Sequence, residues 1–302
     1  MKKKILLLPD VKNWAWGIKS RYIKKYLDDE FDVDIHYISE KTLDKNNDIY
    51  DLYLTYTPVH LSSLRHVDRD RKLTGLTGMP CYNVHFHKNK KLIDFNNIVA
   101  GVHANCPKFK NLVEKTHKKV YYVPNGVDSE FFKKQDFVDN KNVLFVGFVG
   151  KTTPLKGLNN IIKPAVAKAG AGSRVKLISN INNWKTAKSH VSLIDFYKKI
   201  DVQIVASLMD GTPNPALEAA ACGRPVLSNR VGNMEELIED GINGFLVELN
   251  VNAYVAKLKY LLQHKAQMRE MGNKIQKTIV RDWDWSIKAE NYRNMFREVL
   301  GI

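Results

Sequence analysis

The residues best placed to do chemistry stand in one stretch, MDGTPNPALEAAACGRPVLSN, from Met209 to Asn229. It carries two carboxylates, Asp210 and Glu218, around a turn made of Gly211, Thr212, Pro213 and Asn214. A carboxylate in such a place can accept hydrogen bonds from a ribose diol, as acidic residues do in dinucleotide sites. It can equally cap a turn or complement a helix dipole and touch no ligand. On spacing alone both roles stay open for Asp210 and for Glu218.

The elements around the pair set what it can reach. VQIVAS (Val202–Ser207) reads as a strand, and PVLS (Pro225–Ser228) as the next one. Between them Asn214 predicts an N-cap and Pro215 a first helical position. Gly223 predicts the residue just past the helix, with Pro225 barring continuation. ALEAAAC is then a helix of about two turns, with Glu218 on the first. The turn before it lies at the carboxyl end of a parallel strand, where open α/β sheets bind ligands. Backbone N–H groups and the positive dipole end suit a phosphate there. The small side chains let the helix lie close on the sheet and do not themselves meet the ligand.

Short apolar runs alternate with amphipathic stretches along the whole chain, which predicts an α/β fold with parallel sheets. KILLL (Lys4–Leu8), VDIHYI (Val33–Ile38), DLYLTY (Asp51–Tyr56), YNVHFH (Tyr82–His87), IVAGVHA (Ile98–Ala104) and KVYYV (Lys119–Val123) read as strands of a first half. GIKSRYIKKYL (Gly17–Leu27) and NCPKFKNLVEK (Asn105–Lys115) read as helices. PNGVD (Pro124–Asp128) is a turn, and a second series follows it. Its parts are NVLFVGFVG (Asn142–Gly150), a helix over Gly157–Ala169 interrupted by Pro164, RVKLIS (Arg174–Ser179), LIDFYKKI (Leu193–Ile200) and then the opening stretch. SIKAENYRNMFREVL (Ser286–Leu300) is an amphipathic terminal helix. The expected domains are 1–124 with the terminal helix, about 286–302, and 125–285.

The chain has 302 residues, 44% of them hydrophobic, which is enough for two packed domains and excludes a disordered chain. The basic start MKKKILLLPDV has too short an apolar run for a signal peptide and reads as a first strand. Cys81, Cys106 and Cys222 have no zinc spacing and form no even set, so a reduced, cytoplasmic protein is expected. The net charge of +15 suits a polyanionic partner: nucleotide phosphates, anionic lipid or nucleic acid. The basic residues are dispersed, which also fits a solvated surface.

The stretch DGTPNPALEAAACGRPVLSNRVGNMEELIEDGINGFLVE (Asp210–Glu248) resembles the donor-site segment of the family 4 retaining glycosyltransferases, the glycosyl transferases group 1 family. That pattern has an acid, a Gly, a short loop and a Glu eight positions after the acid, then a small-residue helix ending in Cys-Gly-x-Pro. Asp210 and Glu218 keep the spacing, with Asp210 where Glu is usual. VPNGVDSEFF (Val123–Phe132) resembles the family's interdomain junction, and the stretch Ile98–Asp128 its end of the first domain. VGKTTPLKG (Val149–Gly157) resembles its diphosphate-binding loop, with Lys151 where Arg is usual and Lys156 in the place of the family's Lys. Lys cannot fork as Arg does, so Lys151 would act as a point charge. His85, with His87 two residues on, falls where the family has a strand His facing the donor sugar. Gly17 falls in the loop where the family's glycines approach the diphosphate. Trp14 and Trp16 stand beside it, to stack on an acceptor ring or to pack.

The resemblance implies a GT-B fold, two Rossmann-like domains with parallel sheets facing a cleft. It implies transfer of a sugar from a nucleotide-diphosphate donor to a hydroxyl acceptor with retention. His85, Lys151, Lys156 and Asp210 would be the catalytic set. Gly17, Gly150, Gly211, Thr212, Pro213, Asn214 and Glu218 would bind the donor. No cofactor or metal is expected. DRD (Asp68–Asp70) and DWD (Asp282–Asp284) resemble metal-binding Asp-x-Asp but fall in a charged stretch and beside the last helix. Trp283 and Trp285 are expected to pack that helix. Between Ser179 and Leu193 the chain is compressed relative to the family, in a region concerned with base recognition. The acceptor is expected to be a saccharide or lipid-linked glycan, with the short basic first domain at an anionic membrane face. Two alternatives are a hydroxymethylated DNA base and a non-catalytic protein that binds a sugar nucleotide.

Overall fold

The computed structural model describes residues 1–40, 43, 49–78, 94–138, 142–170, 174–181 and 190–302. These residues form two compact units, one of Met1–Asn125 with Trp285–Ile302 and one of Gly126–Asp284.

The first unit is a sheet of six parallel strands: β1 (Lys4–Leu8), β2 (Asp32–Ile35), β3 (Leu52–Thr55), β4 (Lys72–Leu76), β5 (Gly101–Ala104) and β6 (Val120–Tyr122), in the order β2-β1-β3-β4-β5-β6. Five of them arise from the expected runs, β4 is an addition to those expectations, and the expected strand Tyr82–His87 lies outside the described residues. In register, Ile5 lies beside Val33 on one side and Leu52 on the other. Strands buried on both faces read as near-continuous apolar runs, as Lys4–Leu8 does. Helix α1 (Ala15–Leu27) and the short α2 (Pro107–Val113) follow β1 and β5. The core gathers Ile5, Leu7, Ile23, Leu54, Tyr56, Tyr292 and Phe296. Tyr292 and Phe296 come from the terminal helix, Trp285–Leu300, which is anchored to this unit. Its Arg293 Nη1 donates to Glu30 Oε2 at 2.7 Å, and Arg297 Nε to Glu30 Oε1 at 2.7 Å.

The second unit is a five-stranded parallel sheet of β7 (Leu144–Gly150), β8 (Val175–Ile181), β9 (Val202–Val205), β10 (Val226–Asn229) and β11 (Gly244–Val247), in the order β11-β10-β9-β7-β8. The chain runs from β7 to the edge strand β8 and returns to β9 on the other side of β7. The order therefore reverses between β7 and β9, a topological switch point. Between the strands lie α3 (Lys163–Ala169), α4 (His190–Lys198), α5 (Asn214–Ala221) and α6 (Met234–Leu237). After β11 come α7 (Val251–Gln263), α8 (Lys265–Thr278) and a wide turn, Ile279–Trp283, followed by the terminal helix, α9. One core holds Tyr197, Leu217, Ala220, Val226, Ile275 and Trp283. The other holds Val146, Ile162, Ile204, Leu227, Tyr254 and Met271.

Several expectations are corrected. The helix expected over Gly157–Ala169 changes type beside Pro164: Leu158–Ile162 is a wide, π-type helical turn that runs through Ile162, φ −67° and ψ −55°, directly into α3, with Pro164 in the first turn of α3. VDIHYI is a strand only to Ile35. Trp283 is buried in the core of the second unit, while Trp285 opens α9 and stacks on Tyr22 with ring centroids 5.4 Å apart. Gly17 lies within α1, not in a loop. A Cβ there would sit 2.3 Å from the Val11 carbonyl oxygen, so this glycine lets the helix pack on the loop before it. Trp16 stacks on Tyr56 at 6.0 Å, so it packs within its own unit.

Candidate functional site

Three loops meet at the carboxyl ends of β7, β9 and β10. The first, after β7, makes a single tight turn at Pro154–Lys156 and ends at Gly157. Gly157 has φ 66°, and a Cβ there would lie 2.1 Å from the Ala206 carbonyl oxygen. Only glycine allows this loop to rest on the end of β9, where Leu208 N donates to Leu155 O at 2.9 Å. The third loop, after β10, reaches the second in the same way. Gly232 has φ 60°, and a Cβ there would be 1.9 Å from the Gly211 carbonyl oxygen. Asn229 Nδ2 donates to Ser207 O at 2.9 Å and ties the same two loops.

The contact between the first two loops brings two of the candidate residues together. Lys156 Nζ is ion-paired with Asp210 Oδ2. The side chains are 30% and 18% exposed, so the pair is sheltered from bulk water yet opens to it. Asp210 Oδ1 also accepts from the Gly211 N–H at 3.1 Å. Lys151 is exposed at the start of the same loop, just after Gly150. Gly211, Thr212 and Pro213 are buried, and Asn214 is half-buried.

The helix behind this turn starts one residue earlier than the capping pattern predicts. Asn214 is the first residue of α5, and Pro213, with φ −69° and ψ 85°, takes the cap position. The Pro213 carbonyl accepts the Ala216 N–H at 2.9 Å. Pro215 has no N–H, so the first turn is anchored from Pro213 instead. Glu218 therefore sits on the second turn, not the first. At the other end Gly223, with φ 77°, follows Cys222 as expected for the residue past the helix. Ala216, Leu217, Ala219, Ala220, Ala221 and Cys222 are fully buried. The helix is small-residued because it is enclosed by β9, α8 and the Ile279–Trp283 turn.

Glu218 is the one acid of this helix and is part-buried. Its Oε2 accepts from the Tyr197 hydroxyl at 2.7 Å. Burial pushes its carboxyl up to about 7, and the Tyr197 hydrogen bond opposes that rise. Burial, with Glu218 beside it, also pushes the Tyr197 phenol well up, so this hydroxyl is a donor throughout the neutral range. Tyr197 has no signal in the sequence, since nothing in LIDFYKKI marks it as facing Glu218.

His85 and His87 lie outside the described residues. Gly17 belongs to the first unit and contacts its own chain at Val11 and Lys12. The two Asp-x-Asp stretches are otherwise engaged. Asp284 Oδ2 accepts from Ser129 N at 3.0 Å and Oγ at 2.7 Å, and Asp282 pairs with Arg281. Asp70 pairs with Arg69 at 3.6 Å. Among the described residues no three His, Cys, Asp or Glu side chains gather as a metal site. Among them, too, no helix is long and apolar enough to cross a membrane.

The family match falls within this unit. Residues 140–264 match the family model described as Glycosyl transferases group 1. An uncharacterized glycosyltransferase of Methanocaldococcus jannaschii is 26% identical over 204 residues, 62% of this chain and 56% of the relative. A D-inositol 3-phosphate glycosyltransferase of Segniliparus rotundus is 27% identical over 188 residues, 51% of this chain and 42% of the relative. The chain thus spans about half the length of these relatives. Among solved structures, sucrose-phosphate synthase of Thermosynechococcus elongatus superposes with a TM-score of 0.77 at 15% identity, covering 99% of this chain and all of that one. HepE of Anabaena, solved with UDP and glucose, superposes with a TM-score of 0.72 at 16% identity, covering 98% of this chain and all of that one. At such identities these structures establish the fold alone. It is the GT-B class at the level of two parallel-sheet, Rossmann-like units.

Proposed function

We propose, from the match of residues 140–264 to the Glycosyl transferases group 1 family model, that this chain moves a sugar from a nucleotide-diphosphate donor to a hydroxyl acceptor, with retention at the anomeric carbon. The observation that carries this reading is the Lys156–Asp210 pair at the switch point, with Glu218 on the next helix. Lys156 and Lys151 neutralise the diphosphate as the bond from the anomeric carbon to its oxygen breaks. Asp210 and the backbone of Gly211–Asn214 hold sugar and phosphate. Glu218 accepts the ribose hydroxyls. The acceptor hydroxyl attacks from the face the diphosphate leaves, and the departing diphosphate takes its proton. The chain then supplies alignment and charge, with no covalent intermediate and no metal.

Both relatives named above are glycosyltransferases, and HepE was solved with UDP and glucose, so a UDP-sugar is the donor to try first. The acceptor of this reading is a saccharide or lipid-linked glycan, and the net charge of +15 supports contact with an anionic surface that carries it.

The test is nucleotide release from UDP-, GDP-, ADP- and CMP-sugars with a glycan acceptor mixture, comparing the native chain with Glu218→Ala. Release from one donor that vanishes in the variant is expected. Equal release in both proteins would sink the donor-site assignment, and none from any donor would sink the transferase itself. A parallel arm with hydroxymethylated DNA decides the acceptor, since stimulation there would replace the glycan with nucleic acid.

A further inference from the structure

Glu218 can serve a ribose only if its carboxylate is aimed, and one residue aims it. We infer that Tyr197 is a positioning residue for nucleotide binding: its hydroxyl engages Glu218 Oε2 and leaves Oε1 as the acceptor for the ribose diol. The inference rests on the donor-site reading of Glu218 given above.

Tyr197 is fully buried near the end of α4, and its hydroxyl donates to Glu218 at 2.7 Å. Among the described residues Oε1 accepts no hydrogen bond. Tyr197 is itself held by a third residue, Arg224 of the Cys-Gly-Arg-Pro stretch. Arg224 is fully buried, and its Nε donates to the Tyr197 carbonyl at 2.9 Å. Its Nη1 and Nη2 donate to the carbonyls of Gln135 at 3.0 Å and Asp136 at 2.8 Å. The guanidinium lies over the Phe137 ring, 4.1 Å from its centroid. A planar donor that spends its N–H groups on backbone carbonyls is a clamp, not a ligand for anions. It joins the segment before β7 to α4, and through Tyr197 to the carboxylate on α5.

The surroundings make the hydroxyl matter. The faces turned to α5 from β9, β10, α8 and the Ile279–Trp283 turn are apolar: Val205, Val226, Ile275, Ile279 and Trp283. Among the described residues the titratable groups beside Glu218 are Tyr197 from α4 and Cys222, which caps the end of α5. Lys198 and Arg224 act on Cys222. In such a setting one charge-assisted donor fixes both the direction and the ionisation of a carboxylate.

The test uses the whole chain and calorimetric titration with UDP, GDP and ADP, then with the 2′,3′-dideoxy analogue of whichever binds. The native chain should prefer the ribonucleotide by about tenfold or more, the worth of a hydrogen bond to a charged group. Glu218→Ala should abolish that preference. Tyr197→Phe should reduce it to roughly twofold while leaving the dideoxy affinity unchanged. It should also move the weakening of ribonucleotide binding at acid pH to a higher pH. A Tyr197→Phe chain that keeps the full preference overturns the inference. So does one that loses both nucleotides alike, which a mere packing defect would produce. No nucleotide bound by the native chain, or a preference kept by Glu218→Ala, overturns the donor-site reading first and this inference with it.

Discussion

Lys156 and Asp210 are 54 residues apart in the chain and ion-paired in the fold, each from the loop that ends one of two adjacent strands. The strand order places them there, because β7 and β9 become neighbours only after β8 has been laid on the far side. The pair is part-sheltered, so its charges are less screened than those of a surface ion pair. Asp210 holds the ammonium at the mouth of the crevice where such sheets bind ligands.

On that geometry Lys156→Ala lowers kcat/KM for donor turnover by roughly 100- to 1,000-fold, the range for removing one preorganised donor from a developing charge. Lys151 is exposed, so its charge is more strongly screened than that of the sheltered Lys156. Lys151→Ala therefore costs about tenfold or less. Steady-state nucleotide release measures both, and equal effects would contradict the assignment.

The Glu218 carboxyl titrates near 7, above its ordinary 4.5. A group whose folded value is raised contributes stability that is complete below 4.5 and lost as pH rises through about 7. Glu218→Gln should stabilise the second unit by roughly 1–3 kcal/mol at pH 8 and change little at pH 4. Chemical denaturation at the two pH values checks this. A variant that is less stable at pH 8 would be the contrary result.

Lys19 in α1 is a second buried charge. Its Nζ lies 5.5 Å from the centroids of both the Tyr56 and Tyr292 rings and has no hydrogen-bond partner. Burial lowers its ammonium from 10.5 to about 7. The unfolded chain keeps the proton across that window, so stability rises with pH from about 7 to 10.5. Lys19→Met should raise stability at neutral pH by roughly 1–3 kcal/mol and flatten the rise. Thermal melts across that pH range decide it, and a destabilised Met variant would show that the two tyrosine faces compensate the charge.

Gly157→Ala and Gly232→Ala each drive a Cβ into a backbone oxygen, at 2.1 and 1.9 Å. Both oxygens belong to the backbone, which cannot give way as the end of a flexible side chain can. Each substitution should cost roughly 3 kcal/mol or more. Guanidinium midpoints measure it. Gly241→Ala, with φ 78° but nothing within 4 Å, gives the effect of backbone conformation alone.

The amino-acid sequence by itself determined the local pieces. Alternating apolar runs and helical periods specified parallel α/β units, since burial on both faces of a strand leaves a continuous apolar run such as Lys4–Leu8. Gly223 and Pro225 specified the end of α5 because left-handed backbone and a missing N–H are properties of single residues. The start of α5 was one residue off, because Pro213 and Pro215 together moved the first turn's anchor back to the Pro213 carbonyl. Only the tertiary structure decided which carboxylate meets which partner. Asp210 meets Lys156 through strand order, and Glu218 meets Tyr197 through the packing of α4 on α5. These are contacts between distant segments, and side-chain type and spacing carry no record of them.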